Sequence, residues 1–131
     1  MLIGILKEIE SFENRVAITT DGVKKLIQLD HAIYIQSGAG NASLILDEDF
    51  QKVGAKTSDD PAEIYNSDIL LKVSPPTKEE LEKIKEKTII ITFFQIKDQV
   101  ECLNAYKNKK LTLFSMSHIP RTTLAQNMDA L

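Results

Sequence analysis

Apolar positions come in short continuous blocks, and the polar stretches between them carry helical spacing. The block over residues 2–6 (Leu-Ile-Gly-Ile-Leu) is apolar without alternation, and residues 68–73, 88–94 and 111–116 repeat the pattern. Runs of this length without a polar face predict strands covered on both sides. Residues 32–35 form a second strand ahead of a glycine-rich turn, and residues 55–57 a small edge strand. Residues 88–94, the most apolar run, are expected at the centre of the sheet. Between strands, Val23, Leu26 and Ile27 share one face of a helix that Thr20 or Asp21 can cap and Asp30 closes. Residues 47–53 read as a short helix ended by Gly54 in a left-handed cap. Pro61, at a first-turn position, opens a helix capped by Asp59 or Asp60. Thr77 caps residues 78–84, with Glu80 completing a capping box. Residues 98–107 place Val100, Leu103 and Tyr106 at packing spacing, and Leu124, Met128 and Leu131 line one side of a helix after Pro120. Strands thus alternate with helices about five times. The economical solution is an α/β fold, an open and mostly parallel sheet with helices on both faces, Rossmann-like or flavodoxin-like.

Composition narrows the function. With 131 residues, 43% of them hydrophobic and 27% charged, the chain suits one domain, residues 1–131, with a real apolar core. A net charge of −3 offers no field for gripping a nucleic-acid backbone, so nucleic acid is not an expected partner. The single cysteine, Cys102, rules out an internal disulfide and any cysteine-built metal site; it reads as a half-buried thiol in a reducing compartment. No pair of histidines and carboxylates has metal-ligand spacing, and no metal is expected. No apolar run reaches membrane-spanning length, and the N-terminus lacks the pattern of a secretory signal. The last residues, Asp129-Ala130-Leu131, lie inside a helical pattern without a capping glycine, as expected of a cut or of the opening portion of a larger unit.

Candidate chemistry gathers at strand ends. Of sixteen basic residues only Arg15 and Arg121 are arginine, and both sit at strand-to-helix junctions, where a planar anion is the natural ligand. Lys72 closes an apolar strand ahead of Ser74-Pro75-Pro76. A charge there requires a solvated cleft or a partner, or else the side chain snorkels out from the strand end. Gln95 ends the run over residues 88–94. Lys7, Arg15, Lys72, Gln95 and residues 118–121 are therefore expected to converge on one rim, with His31 at the opposite edge as a surface residue. The sequence Gly38-x-Gly40-x-x-Ser43 after a strand, with Asp59 or Asp60 some twenty residues on, has the outline of a dinucleotide fingerprint. The strand that should carry the acid is barely a strand, and no helix follows until Asp47, so a plain glycine turn is the stronger reading. Ser115 and Ser117 lack the strained elbow of a serine nucleophile.

Residues 1–4 with Lys7-Glu8, then Glu13-Asn14-Arg15-Val16-Ala17 and Thr19, resemble the amino-terminal signature of the alanine dehydrogenase and pyridine nucleotide transhydrogenase family. Ser37-Gly38-Ala39-Gly40, Gly54-Ala55 and Leu71-Lys72-Val73 continue the resemblance in order. Within the family, Ile119-Pro120-Arg121, Ala125-Gln126 and Asp129 look like the transhydrogenase segment at the hydride-transfer site. The resemblance implies that Arg121 and Gln126 contact the nicotinamide nucleotide and that Asp129 holds Arg121 and the nicotinamide amide. In the alanine dehydrogenase alternative, Arg15 matches the arginine clamping the substrate carboxylate and Lys72 the lysine contacting the keto acid. Gln95 falls where that enzyme has its catalytic histidine. Glutamine does not titrate, which counts against amino-acid oxidation; transhydrogenases usually carry an aromatic residue near this point, so Gln95 departs from both patterns.

By this resemblance the full-length protein passes hydride from NADH to NADP+ while a separate membrane domain moves a proton. NAD(H) is then bound mainly by a following domain of the same chain, and NADP(H) by a partner subunit or domain. The resemblance further implies a homodimer or larger assembly. It places the chain as a peripheral domain on the cytoplasmic side of the inner membrane, or free in the cytoplasm for an alanine dehydrogenase. The 131 residues alone are expected to be inactive. A free-standing binding module that keeps the fold without the chemistry is the remaining alternative.

Overall fold

The computed structural model describes residues 1–94 and 100–118. Each of the six expected strands forms, and all are parallel: β1 (Leu2–Ile5), β2 (Ala32–Gln36), β3 (Lys56–Ser58), β4 (Ile69–Leu71), β5 (Ile89–Thr92) and β6 (Thr112–Ser115). They form one sheet in the order β3-β2-β1-β4-β5-β6. The connecting helices are α1 (Thr20–Gln28), α2 (Asp47–Lys52), α3 (Pro61–Tyr65), α4 (Lys78–Lys83) and α5 (Leu103–Asn108). The open parallel α/β sheet expected from the pattern is the observed architecture.

Alternation along the strands divides the core in two. Ile3, Ile5, Ile33 and Ile35 pack on one face against Val23 of α1 and Phe50 of α2. Leu70 and Ile90 point the other way, against Ile64 of α3, Leu81 of α4 and Tyr106 of α5. Helices therefore cover both faces, which is why strand interiors are apolar at successive positions. Burial pushes the Tyr106 pKa up to about 12.

The most apolar run is not at the centre. β1 and β4 form the central pair, and β5 lies between β4 and the edge strand β6. The chain lays β1, β2 and β3 outward in one direction and then crosses back past β1 to start β4. The crossovers thus give the centre to the first strand of each half, whatever its hydrophobicity. Local corrections are small. Thr19, not Thr20 or Asp21, caps α1: its backbone is extended and its Oγ1 accepts the Gly22 N–H at 3.1 Å. Asp60 caps α3 ahead of Pro61, and Gly54 takes the left-handed conformation with φ of 105°. Residues 100–102 form a 3-10 turn before α5, so the regular helix begins later than expected. The strand end at Gln95 and the helix after Pro120 lie outside the described residues.

Two contacts at the amino ends of the central strands set their spacing. Gly4 faces the carboxyl end of α3, where a Cβ would lie 2.9 Å from the Ile64 carbonyl oxygen and inside the contact distance of Ser67 Oγ. Asp68 accepts the Leu2 N–H at 2.9 Å on one carboxylate oxygen and the Lys85 ammonium at 3.1 Å on the other. The Leu2 N–H, and then Lys85, hold the Asp68 carboxyl below its ordinary range.

Both contacts make predictions. Gly4→Ala forces α3 away from the sheet and should destabilise by about 1–3 kcal/mol in urea unfolding, the usual result of overpacking. Because the folded pKa of Asp68 is depressed, its contribution is present above the ordinary aspartate range and is lost as pH falls through the folded value. Asp68→Asn should therefore lower stability at neutral pH and flatten the acid limb of a stability–pH curve.

Candidate functional site

The chain leaves β1 and β4 in opposite directions at their carboxyl ends. In an open α/β sheet this divergence produces a crevice, and ligands bind there. A cavity of about 580 Å³ occupies it, walled mainly by Val16, Ile18, Ile45, Leu71, Ile91 and Phe93. Among the described residues Arg15 and Lys72 are its charged lining, and Met116, after β6, adds to the wall. A larger hollow of about 690 Å³ beside α3 is an open groove. Its cations are already engaged: Lys85 with Asp68, and Lys83 over the Tyr65 ring at 5.9 Å.

Arg15 reaches the cavity from the β1–α1 loop. Glu13 Oε1 accepts both the Arg15 backbone N–H at 3.0 Å and its Nε–H at 2.9 Å, while Oε2 accepts Nη2–H at 2.9 Å. The guanidinium carbon stands 6.0 Å over the Phe93 ring. This pairing keeps the Glu13 carboxyl below its usual range and raises Arg15 above its own. Arg15 keeps half of its side chain exposed (51%), whereas Glu13 keeps 14%.

Lys72 is different. Its side chain is only 1% exposed, which settles the alternatives left by the sequence: the lysine does not snorkel but has a buried partner. Nζ donates to both carboxylate oxygens of Glu80 at 3.1 Å and lies 4.0 Å from Glu8 Oε1. Glu80 is also the capping-box residue of α4 and accepts the Thr77 N–H at 3.0 Å. Glu8, after β1, accepts the Val73 and Ser74 N–H groups at 3.1 and 2.9 Å. Each carboxylate oxygen of this cluster therefore has a hydrogen-bond donor, as a buried ionic group requires.

Three residues named from the sequence converge as expected. Arg15 and Lys72 line the main cavity, and Lys7 lines an adjoining hollow of about 180 Å³ with Glu13 and Gly38. Residues 116–118 form a 3-10 turn directly after β6. His31 lies just before β2, its Nδ1 3.3 Å from the N-terminal ammonium. Cys102 is a half-buried free thiol packed at the second core, and Ser115 Oγ donates to the Phe94 carbonyl at 2.6 Å. Gln95, Arg121, Gln126 and Asp129 lie outside the described residues. Among the described residues no cluster of three His, Cys, Asp or Glu side chains could hold a metal ion, and no helix is long and apolar enough to cross a membrane. The Gly38 turn is a plain turn. Its N–H is taken by Asp47 Oδ1 at 2.9 Å, a three-residue 3-10 helix follows, and Gly40 is required because a Cβ would meet the Ile45 carbonyl and Phe50.

Sequence reasoning missed Glu8, Glu13, Glu80 and Phe93 as site residues. Glu80 carried a signal. A buried lysine needs an acid, and a capping box turns the side chain at its third helical position back toward the helix start, here toward the end of β4.

Residues 4–131 match the family model for the N-terminal domain of alanine dehydrogenase/PNT. The chain belongs to this family. It is 38% identical over 113 residues to an alanine dehydrogenase of Methanococcus maripaludis, an alignment covering 86% of this chain and 30% of that protein. It is also 34% identical over 131 residues to an NAD(P) transhydrogenase subunit alpha of Haemophilus influenzae, covering 100% of this chain and 25% of that one. A crystal structure of transhydrogenase from Sinorhizobium meliloti superposes with a TM-score of 0.92 at 32% identity, covering 98% of this chain and 37% of that chain. The chain thus spans between a quarter and rather more than a third of the length of these relatives. Coverage and structural closeness lean toward the transhydrogenase alpha subunit.

The buried cluster yields a stability prediction for this family domain. Glu80→Ala leaves the Lys72 ammonium without its closest carboxylate and removes half of the α4 capping box. Urea unfolding should show a loss of about 3–5 kcal/mol, typical of a broken buried ion pair.

Proposed function

We propose that this chain is the N-terminal region of an NAD(P) transhydrogenase alpha subunit, and that its crevice forms one wall of an NAD(H) site. The carrying observation is the end-to-end match to transhydrogenase chains, 100% of this chain in sequence and 98% in structure. Bound NAD(H) would supply the redox chemistry, and transfer of hydride to NADP+ requires positioning rather than a side-chain acid or base. The crevice fits that demand. Its walls are aliphatic and aromatic, suited to excluding water from a flat ring, and among the described residues its charges are internally paired. The Gly38 turn spends its N–H on Asp47 and is no pyrophosphate cradle, so in this reading the dinucleotide is bound mainly by a following domain, with this crevice at its nicotinamide end. In this reading Arg121 and Gln126 contact the nicotinamide nucleotide and Asp129 holds Arg121. A membrane domain and an NADP-binding domain are the partners.

The meeting of Arg15 and Lys72 at one cavity favours a second reading, an alanine dehydrogenase in which they hold a keto acid. Against it, both oxygens of Glu80 already engage Lys72 Nζ, and Gln95 cannot serve as an acid–base group. The full-length protein decides. Hydride transfer from NADH to an NADP+ analogue is expected, without NAD+-dependent oxidation of alanine; the reverse result would overturn the reading. Arg121→Ala should slow transfer by roughly 10- to 100-fold, the value of one hydrogen bond to a charged group, with an unchanged circular dichroism spectrum.

A further inference from the structure

Arg15 is the half-exposed cation of the crevice, yet one edge of its guanidinium is already occupied. The Nε–Nη2 edge is bidentate to Glu13, and Glu13 Oε1 additionally accepts the Arg15 backbone N–H. One carboxylate therefore fixes both the loop backbone and the side chain of the same residue. Among the described residues Nη1 donates to no protein group, and the guanidinium carbon stands 6.0 Å from the centre of the Phe93 ring, which lines the cavity. The arginine is thus held along one edge, and among the described residues its Nη1 N–H groups have no partner.

Glu13 is the fixed member of this pair. Its side chain is far more buried than that of Arg15 (14% against 51% exposed). A turn closed by the Glu13 N–H on the Glu10 carbonyl at 3.1 Å anchors its backbone. An incoming anion would have to break three bonds to displace it, whereas at Nη1 it can add without breaking any bond among the described residues. A flexible arginine loses rotamer freedom on binding an anion, and one already held loses much less.

We propose that Glu13 is a positioning residue that presents the Nη1 edge of Arg15 to an oxyanion of the ligand in the crevice. This rests on the reading of the crevice as a ligand site. The oxyanion is a phosphate oxygen of a nicotinamide nucleotide or the carboxylate of a small keto acid; both match a planar fork of N–H donors. Electrostatics alone predicts the opposite role, since Glu13 places a negative charge beside the anion's cation, and removing it would strengthen binding.

The test measures dissociation constants of the full-length protein for NADH and for pyruvate by titration calorimetry, comparing wild type, Glu13→Ala and Glu13→Gln. The 15N signal of Arg15 Nε–H reports side-chain order in the same samples. Glu13→Ala should weaken the anion that binds by about 10-fold and broaden or remove the Arg15 signal. Glu13→Gln keeps the Oε1 acceptor for the backbone and Nε, and should recover part of both. Which of the two probes responds identifies the source of the oxyanion. Unchanged or tighter binding in Glu13→Ala overturns the positioning role while leaving the crevice a ligand site. Failure of the wild type to bind either probe overturns the ligand-site reading, and the role of Glu13 with it.

Discussion

The Glu8 carboxylate joins the two halves of the sheet where they part. β1 and β4 run side by side, but their chains leave in opposite directions, toward α1 and α4. Glu8 lies past the end of β1 and accepts the Val73 and Ser74 N–H groups past the end of β4. Without that bridge the N–H groups of the β4 exit would face an apolar interior with no β1 partner, because the ladder between the strands has already ended. The carboxylate extends the pairing by one side chain. It also brings a negative charge into the interior, and Lys72, with Glu80, is the cluster in which that charge sits.

The position of the crevice follows from this arrangement. The Glu8 bridge and the Lys72–Glu80 pair fill the space behind the strand ends with satisfied polar groups. What faces the opening is then the apolar side of the same loops, Val16, Ile18 and Val73, together with Leu71 and Phe93. Lys72 lines the cavity but does not offer its charge to it, because both oxygens of Glu80 engage its Nζ. Arg15 is also paired, but at the surface and along one edge only. Its described walls are mainly apolar, and each of its described cations, Arg15 and Lys72, is paired with a carboxylate.

The sequence was most informative where one physical cause acted locally. Blocks of unalternating apolar residues marked β1, β4, β5 and β6, whereas the polar β3 was legible only as a small edge strand, and the caps at Asp60, Gly54 and Thr77 followed from single residues with well-defined backbone preferences. Central placement of the run at 88–94 failed because strand order is a property of crossovers, to which local hydrophobicity is indifferent. Only some of the rim was legible. Lys7 and Lys72 were found because a cation at the end of an apolar strand is conspicuous, and Arg15 because only two of the sixteen basic residues are arginine. Their carboxylate partners were not, since glutamates are plentiful in the chain and only the fold selects among them. Glu8 bonds residues 65 and 66 positions away. Glu13, two residues before Arg15, was close enough to be read, but its separation does not reveal that its side chain is mostly covered while half of the arginine's stays exposed.

The glycine turn after β2 shows why a sequence outline and a binding site differ. A phosphate cradle needs N–H groups left without partners, at the start of a helix whose dipole reinforces them. Here the Gly38 N–H is bonded to Asp47, the segment after Gly40 is a single 3-10 turn, and the residue that opens α2 is itself the acid occupying that N–H. An anion approaching this turn would meet a carboxylate already in place. The glycines serve packing instead: Gly40 lets the backbone pass the Ile45 carbonyl and the Phe50 ring, and Phe50 is fully buried against β1 and β2. The same local pattern that would build a nucleotide fingerprint has been used to seal the first core.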